Sequence, residues 1–283
     1  MRRFNIVEPR SIEDACKILA EDDDVKLISG GTALLILIKH GILLPKTLVN
    51  LKKIQGATEI TYDPTSGLRV GGLASIYDME SAPAVRQYYP LLAQACHVVA
   101  NIRIRNMATI GGNLAHADSQ SDPPAALVAL DASVELTKRG GARTVKLADF
   151  LVGSYETGLE RDEILTALRV PAPPANAKAT YLKFTTRSSE DRPCAGIAAW
   201  VRRVNGSIAE ARVVVGAVSP APVVLTQKDF PSAYDLSADG IAEIARKAAA
   251  AVDPIDDLRG PADYKRHLVN VLVRRALNEC VAG

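Results

Sequence analysis

Two turns in this chain combine glycine with hydroxyl side chains in a way that suits anion binding. Ser29-Gly30-Gly31-Thr32 lies where a strand-like run gives way to a helical one. Thr109-Ile110-Gly111-Gly112-Asn113 repeats the paired glycines between an apolar and a polar residue. Glycine lets the backbone adopt positive φ and lets a ligand approach the chain closely. A helix start leaves N–H groups free, which favours phosphate, and Thr32 adds a hydroxyl donor. Neither turn is a Walker motif or G-x-G-x-x-G, since the lysine is missing and the glycine spacing differs. Taken alone, the first turn reads either as an anion site or as a simple tight turn. Taken together, the two can hold the phosphates of a pyrophosphate from opposite sides, with successive N–H groups forming a concavity. The competing reading is two unrelated loops.

The flanking patterns say what must position these turns. Ser11-Ile12-Glu13-Asp14 has the form of an N-cap with acids in the first turn, and Ile12, Ala15, Cys16, Ile18 and Leu19 follow at helical spacing. Val25–Ser29 and Thr47–Leu51 read as strands, with Thr32 capping a helix that starts near Ala33. Glu59–Tyr62 and Leu68–Val70 flank Asp63-Pro64-Thr65-Ser66-Gly67 as a hairpin. Pro83–Ala100 reads as one long helix, Pro123–Leu130 as another, and Ser133–Thr137 and Glu163–Val170 as strands. Pro171-Ala172-Pro173-Pro174-Ala175-Asn176 is the clearest linker. Beyond it, Thr180–Thr186, Gly196–Arg203 and Arg212–Ala217 suggest an antiparallel sheet, and Ile241–Ala251 and Tyr264–Cys280 suggest helices. The expected units are 1–55, 56–175 and 176–283.

Bulk properties narrow the class. The 283 residues can bury more than one core. The net charge of +2 points to neither nucleic acid nor an anionic membrane. Cys16, Cys96, Cys194 and Cys280 are too far apart for iron–sulfur or zinc spacing and read as buried thiols in a reducing compartment. The most apolar stretch, Ala33 to Leu44, is broken by Lys39, His40 and Gly41 and is too short to span a bilayer. No signal-peptide core follows Arg2-Arg3, so the expected location is cytoplasmic unless partners carry the chain elsewhere. The run Glu21-Asp22-Asp23-Asp24 reads as an exposed loop, and Arg103 and Arg105 as solvated helix-end charges or phosphate partners. His40, His97, His267 and Trp200 read as structural.

Lys26-Leu27-Ile28-Ser29-Gly30-Gly31-Thr32, with Ile104-Arg105-Asn106-Met107-Ala108-Thr109-Ile110-Gly111-Gly112-Asn113, resembles the FAD subunit of the xanthine dehydrogenase and carbon monoxide dehydrogenase family of molybdenum hydroxylases. Tyr181-Leu182-Lys183-Phe184, with Arg187, Ser188 and Asp191, and Gly260-Pro261-Ala262-Asp263-Tyr264-Lys265-Arg266 are similar to the family's C-terminal domain. The resemblance covers essentially the whole chain, in family order. It implies an α+β fold of the vanillyl-alcohol-oxidase (PCMH) type: two α/β subdomains around an extended FAD, then a C-terminal α/β domain with an antiparallel sheet and helices. A cysteine-rich insert for an extra iron–sulfur cluster, carried by some relatives, is absent.

Residue by residue, the resemblance implies that Leu27, Ile28, Ser29, Gly30, Gly31, Thr32, Ala33 and Leu34, with Thr109, Ile110, Gly111, Gly112 and Asn113, hold the FAD pyrophosphate. It implies that Asp122 contacts the cofactor's sugar region and that Leu165 or Ile164 lies beside the flavin ring. It brings Lys183 to the flavin, where it either stabilises negative charge on the reduced ring or pairs with a carboxylate. Ala33 departs from the family's usual Ser, Asp or Glu, and Ser119-Gln120 from its frequent Pro-x pair. His116 reads as a solvent-facing or outer-layer residue, so the FAD is expected to be non-covalent. No metal ligands and no substrate-oxidising group are expected here. The resemblance implies an oxidoreductase subunit that takes electrons from [2Fe–2S] clusters of a small partner and passes them to an external acceptor. The molybdenum cofactor lies in a large partner, and the whole is expected as a dimer of heterotrimers. The alternatives are a stand-alone FAD oxidase or dehydrogenase, against which the short segment after Pro174 argues, and a binding protein that has lost FAD, against which both glycine turns argue.

Overall fold

The computed structural model describes residues 3–205, 207–230 and 236–282. The first unit comprises β1 (Asn5–Val7), α1 (Ile12–Glu21), β2 (Val25–Ile28), α2 (Leu34–Lys39) and β3 (Thr47–Asn50). Its three strands are parallel in the order β1-β3-β2. Ser11 caps α1 by accepting from the Asp14 N–H, as its sequence position predicts. One small core joins Ala15, Cys16 and Leu19 of α1 to Val25, Val49 and Leu51.

The second unit comprises β4 (Ile60–Asp63), β5 (Gly67–Gly71), α3 (Ile76–Ser81), α4 (Pro83–Tyr88), α5 (Pro90–His97), α6 (Ile102–Met107), α7 (Ile110–His116), α8 (Pro123–Ala129), β6 (Ser133–Lys138), β7 (Gly141–Lys146), α9 (Leu147–Phe150), β8 (Leu151–Gly153), β9 (Glu156–Thr157) and β10 (Ile164–Val170). Its antiparallel sheet runs β4-β5-β10-β6-β7. The segment 83–100, expected as one helix, is two. Pro90 has no N–H and follows Tyr89 at φ −131°, ψ 55°, so the ladder stops and restarts there. Ile164 at the start of β10 packs into the first unit's core, while Leu165, Leu168 and Val170 enter the second.

The third unit has β11 (Ala177–Phe184), β12 (Ala195–Val204), β13 (Ser207–Gly216), β14 (Val223–Leu225), α10 (Ala238–Ala251) and α11 (Ala262–Val281), with the strands in that order in one antiparallel sheet. The sheet is covered on both faces. Ala195, Ile197, Ala199 and Val201 share a core with α10 and α11, while Tyr181, Ala198 and Val214 join the core of the second unit. Burial on both sides explains why β12 reads as a continuous apolar run rather than an alternating one. Trp200 is buried in β12 with the Arg212 guanidinium over its ring, and all four cysteines are buried free thiols.

Among the described residues no helix is long and apolar enough to cross a membrane. The acidic run 21–24 is exposed, with Asp23 paired to Arg161 and Asp24 to Lys46. His40, His97 and His267 are exposed, and His97 pairs with Glu80 at 2.8 Å.

Candidate functional site

A cleft of about 280 Å³ opens between the first and second units. The turn after β2 forms one wall and the start of α7 another. Leu159, Ile164 and Leu165 add an apolar flank. Every residue expected from the sequence lines it except Ile110, Asp122 and Lys183.

The two glycine turns touch. Ser29 Oγ lies 2.8 Å from Thr109 Oγ1 as a hydroxyl pair, and Thr109 Oγ1 accepts the Gly112 N–H at 3.1 Å as the N-cap of α7. A Cβ on Gly30 would collide with the carbonyl oxygen of Met107, and one on Gly111 would stand 2.5 Å from that of Gly72. These glycines therefore let two backbones pack together, quite apart from any ligand. Gly31 has φ +73°, the left-handed conformation that turns the chain into α2. Gly112 is exposed, and a Cβ there would meet only the Ser29 and Thr109 hydroxyls, each at 2.8 Å.

The donors divide unequally. At α7 the N–H groups of Ile110 and Gly111 donate to the carbonyls of Ala74 and Gly72, both at 2.9 Å, and that of Asn113 donates to Thr109 O at 2.9 Å. With Gly112 capped by Thr109, the helix start keeps no free N–H. This corrects the expectation that both turns present free helix donors. The backbone bridge between Ser75 and Thr109 brings the 72–75 loop within reach of them. The first turn differs. The N–H groups of residues 30–34 donate to no protein acceptor among the described residues, and successive donors of this kind form an anion nest. Thr32 does not cap α2 as expected: the helix starts one residue later, with Ala33 at the N-cap and no side-chain cap bond. Asn113 lines the cleft and accepts from Ser121 Oγ at 2.9 Å through Oδ1, leaving Nδ2 without an acceptor among the described residues.

Three expected residues lie elsewhere. Ile110 is fully buried in the second core. Asp122 and Lys183 are buried against each other at 3.1 Å, away from the cleft lining. Tyr181 donates to Asp122 Oδ1 at 2.9 Å, and Lys183 Nζ also donates to Val98 O at 2.7 Å. Of the two roles left open for Lys183, the structure has it pairing with a carboxylate. Burial pushes the Asp122 carboxyl up to about 6, against the pull of Lys183 and Tyr181, and burial holds the Tyr181 phenol well above its usual value. Arg105 is also not a solvated helix-end charge. It is buried, pairs with Glu80 at 2.8 Å and donates to the carbonyls of Val99 and Ala100.

Sequence reasoning missed Leu51, Gly72, Leu73, Ala108, Ala115 and Leu159 in the lining. Apolar residues and a lone glycine carry no local signal; only the meeting of β3, β5 and α7 selects them. His116 also lines the cleft, its ring 5.1 Å from that of Tyr155, and burial lowers its pKa, so it brings no fixed positive charge there. Among the described residues no group of His, Cys, Asp or Glu is arranged to hold a metal ion.

A nest of free N–H groups, two hydroxyls and an apolar flank fit a phosphate-bearing cofactor with an apolar ring system. Comparison with known proteins agrees. Residues 2–173 match the family described as FAD binding domain in molybdopterin dehydrogenase, and residues 180–280 match CO dehydrogenase flavoprotein C-terminal domain. The nicotine 6-hydroxylase medium subunit of Paenarthrobacter nicotinovorans is 33% identical over 97% of this chain and 96% of its own length. The carbon monoxide dehydrogenase medium chain of Hydrogenophaga pseudoflava is 32% identical over 98% of this chain and 96% of its own. In structure, carbon monoxide dehydrogenase from Hydrogenophaga pseudoflava superposes with a TM-score of 0.93 over 99% of this chain and 98% of the other, at 32% identity. Quinoline 2-oxidoreductase from Pseudomonas putida 86 gives 0.92 over 100% and 98%, at 27% identity. With both domains matched in order over nearly its whole length, this chain belongs to the family of FAD-binding medium subunits of molybdenum hydroxylases.

Proposed function

We propose that this chain is the flavin relay of a multi-subunit molybdenum hydroxylase. It stands between the [2Fe–2S] clusters of a small partner subunit and an external electron acceptor, while a large partner carries the molybdenum cofactor and oxidises the substrate. The observation that carries this reading is the run of unpartnered N–H groups at residues 30–34, tied to the second turn by the Ser29–Thr109 hydroxyl pair.

The residues have separable tasks. The N–H groups of residues 30–34 and the side chain of Asn113 donate to the pyrophosphate, so the nest sets where the cofactor sits. The Ser29–Thr109 pair keeps the two turns in register. Leu159, Ile164 and Leu165 exclude water from one side of the cleft. Neutral His116 adds a polar edge without a competing charge. Bound there, FAD supplies the redox chemistry, accepting electrons from one carrier and releasing them to another. The cofactor is held non-covalently, and the complex is a cytoplasmic dimer of heterotrimers.

Two measurements test this. Acid precipitation of the purified chain should leave the yellow flavin in the supernatant; flavin in the pellet refutes non-covalent binding. Anaerobic mixing of the isolated chain with carbon monoxide, a purine or an aldehyde should leave the visible flavin absorbance unchanged, while the assembled complex bleaches with its own substrate. Bleaching of the isolated chain by any of these overturns the relay.

A further inference from the structure

Among the described residues that line the cofactor cleft, His116 carries the single side chain that titrates near neutrality. The rest of the lining is glycine, alanine and aliphatic residues with Ser29, Thr32, Thr109 and Asn113. His116 ends α7, the helix whose first turn meets the nest through the Ser29–Thr109 pair. Seven residues at 1.5 Å each put it about 10 Å from that turn, comparable to the reach of the chain that joins a pyrophosphate to a flavin ring. The opposite side of the nest offers Leu27, Leu51 and Leu73, packed with the first unit's core. A ring that exchanges protons finds a partner only at the His116 end.

The surroundings of His116 suit a group that gains and loses a proton. Burial holds its imidazole below the usual value, Asp118 draws it back up, and Arg192 lowers it again. Asp118 and Arg192 pair with each other at 2.8 Å, so the carboxylate is shared and does not fix a charge on the imidazole. The Tyr155 ring stands 5.1 Å away, and Tyr155 is 63% exposed, which leads from His116 out to solvent. Tyr155 has φ +61°, the one aromatic among the described residues in the left-handed region. Its N–H donates at 2.7 Å to the carbonyl of Ala117, itself at φ +48°. Such strain persists only where packing imposes it, and it collects at functional sites. One other group titrates near neutrality, the Asp122 carboxyl, pushed up by burial to about 6. It is enclosed by Tyr181 and Lys183, which are almost fully buried themselves, and it lies outside the cleft lining.

We propose that His116 takes up a proton from solvent when the bound flavin is reduced and gives it back when the flavin is reoxidised. This rests on the FAD reading above. Iron–sulfur clusters deliver electrons singly and bring no protons. Two electrons and one proton turn the oxidised ring into its singly protonated reduced form, which carries one negative charge. That charge favours the cationic imidazole, so a second proton from water binds His116. The site takes up two electrons and two protons in all, with no net change of charge, and releases both protons when the two electrons pass to the acceptor. With no Lys or Arg in the lining, no other side chain there can take up the compensating charge.

The test uses the assembled complex with its histidines labelled with carbon-13, and compares infrared spectra before and after reduction with dithionite near neutral pH. A band of protonated imidazole should appear on reduction in the wild type and be missing from His116→Asn, with FAD per chain unchanged. The flavin's midpoint potential, followed against pH, should report two protons per two electrons in the wild type and one in the variant. The same band in both proteins, or none in the wild type, overturns the proposal, and so does an equal proton count. Loss of FAD from a folded His116→Asn complex also overturns it, since the imidazole then serves to hold the cofactor. Asp118→Asn removes the carboxylate that favours the cation and leaves Arg192 facing the imidazole, so the band should appear only at lower pH, with FAD retained. A band of full height at an unchanged pH in Asp118→Asn overturns the assignment to His116. A wild-type complex without flavin refutes the FAD reading itself.

Discussion

The glycines of the two turns look alike in sequence and differ in what they do. Gly30 and Gly111 lie where one backbone rests on another, so an added methyl meets a carbonyl that cannot move away. Gly112 faces two hydroxyl ends that can rotate. Gly30→Ala should therefore cost about 1–3 kcal/mol of stability, the usual penalty for overpacking a tight site. Gly112→Ala should cost only about 1 kcal/mol, the loss of the Thr109 cap on α7, and lose FAD, because displacing the Ser29–Thr109 pair disturbs the register of the nest. Chemical denaturation and the ratio of flavin to protein absorbance read the two effects separately. Full flavin occupancy in a folded Gly112→Ala protein would remove Gly112 from the site.

At the scale of elements, the approach of β10 to the cleft depends on an ion pair. Glu163, just before β10, is buried and accepts from Arg143 of β7 at 2.6 and 2.8 Å, and from the Glu160 N–H at 2.8 Å. Arg143 holds its carboxyl below the usual range, with burial acting the other way. A carboxylate with a lowered folded pKa stabilises the fold above its unfolded value, about 4.3 for glutamate, and that contribution is lost as pH falls through the folded value. The melting temperature of the wild type should thus exceed that of Glu163→Gln near neutrality, and the gap should close below about pH 4. Parallel pH profiles of the two proteins would exclude this account. The same local view explains α4 and α5: apolar periodicity runs through 83–100, yet Pro90 lacks the N–H a continuous helix needs.

Across the whole molecule, the buried trio of Asp122, Tyr181 and Lys183 joins the start of α8 to β11 of the C-terminal sheet. Both charged side chains are almost fully buried, so their value lies in being paired. Asp122→Ala leaves the Lys183 ammonium buried without a carboxylate and should cost about 3–5 kcal/mol. Adding Lys183→Met should recover most of that loss, since an apolar pair of similar volume needs no counter-charge. Urea unfolding of the two single variants and the double variant measures the coupling. A cost below about 1 kcal/mol for Asp122→Ala would mean that the pair is not sealed from water.

The pieces whose signals are local can be read from the residues alone. The cap at Ser11, the paired glycines with Thr109, the proline-rich linker at 171–176 and the strand runs on either side of it were all legible, because capping, positive φ and missing N–H groups act within a few residues. The resemblance of both turns and of Tyr181–Phe184 also identified the family without coordinates. Which donors stay free depends on how distant segments meet. Nothing near Gly111 announces that the Gly72 carbonyl will consume its N–H, whereas the N–H groups of residues 30–34 meet no acceptor among the described residues even though the Met107–Ala108 backbone lies against Gly30. The same meeting of segments decides that Asp122 and Lys183 pair with each other rather than line the cleft, and that Arg105 spans Glu80 and the 99–100 carbonyls. A charged residue's role depends on which distant segment arrives beside it, and that is fixed only when the three cores close.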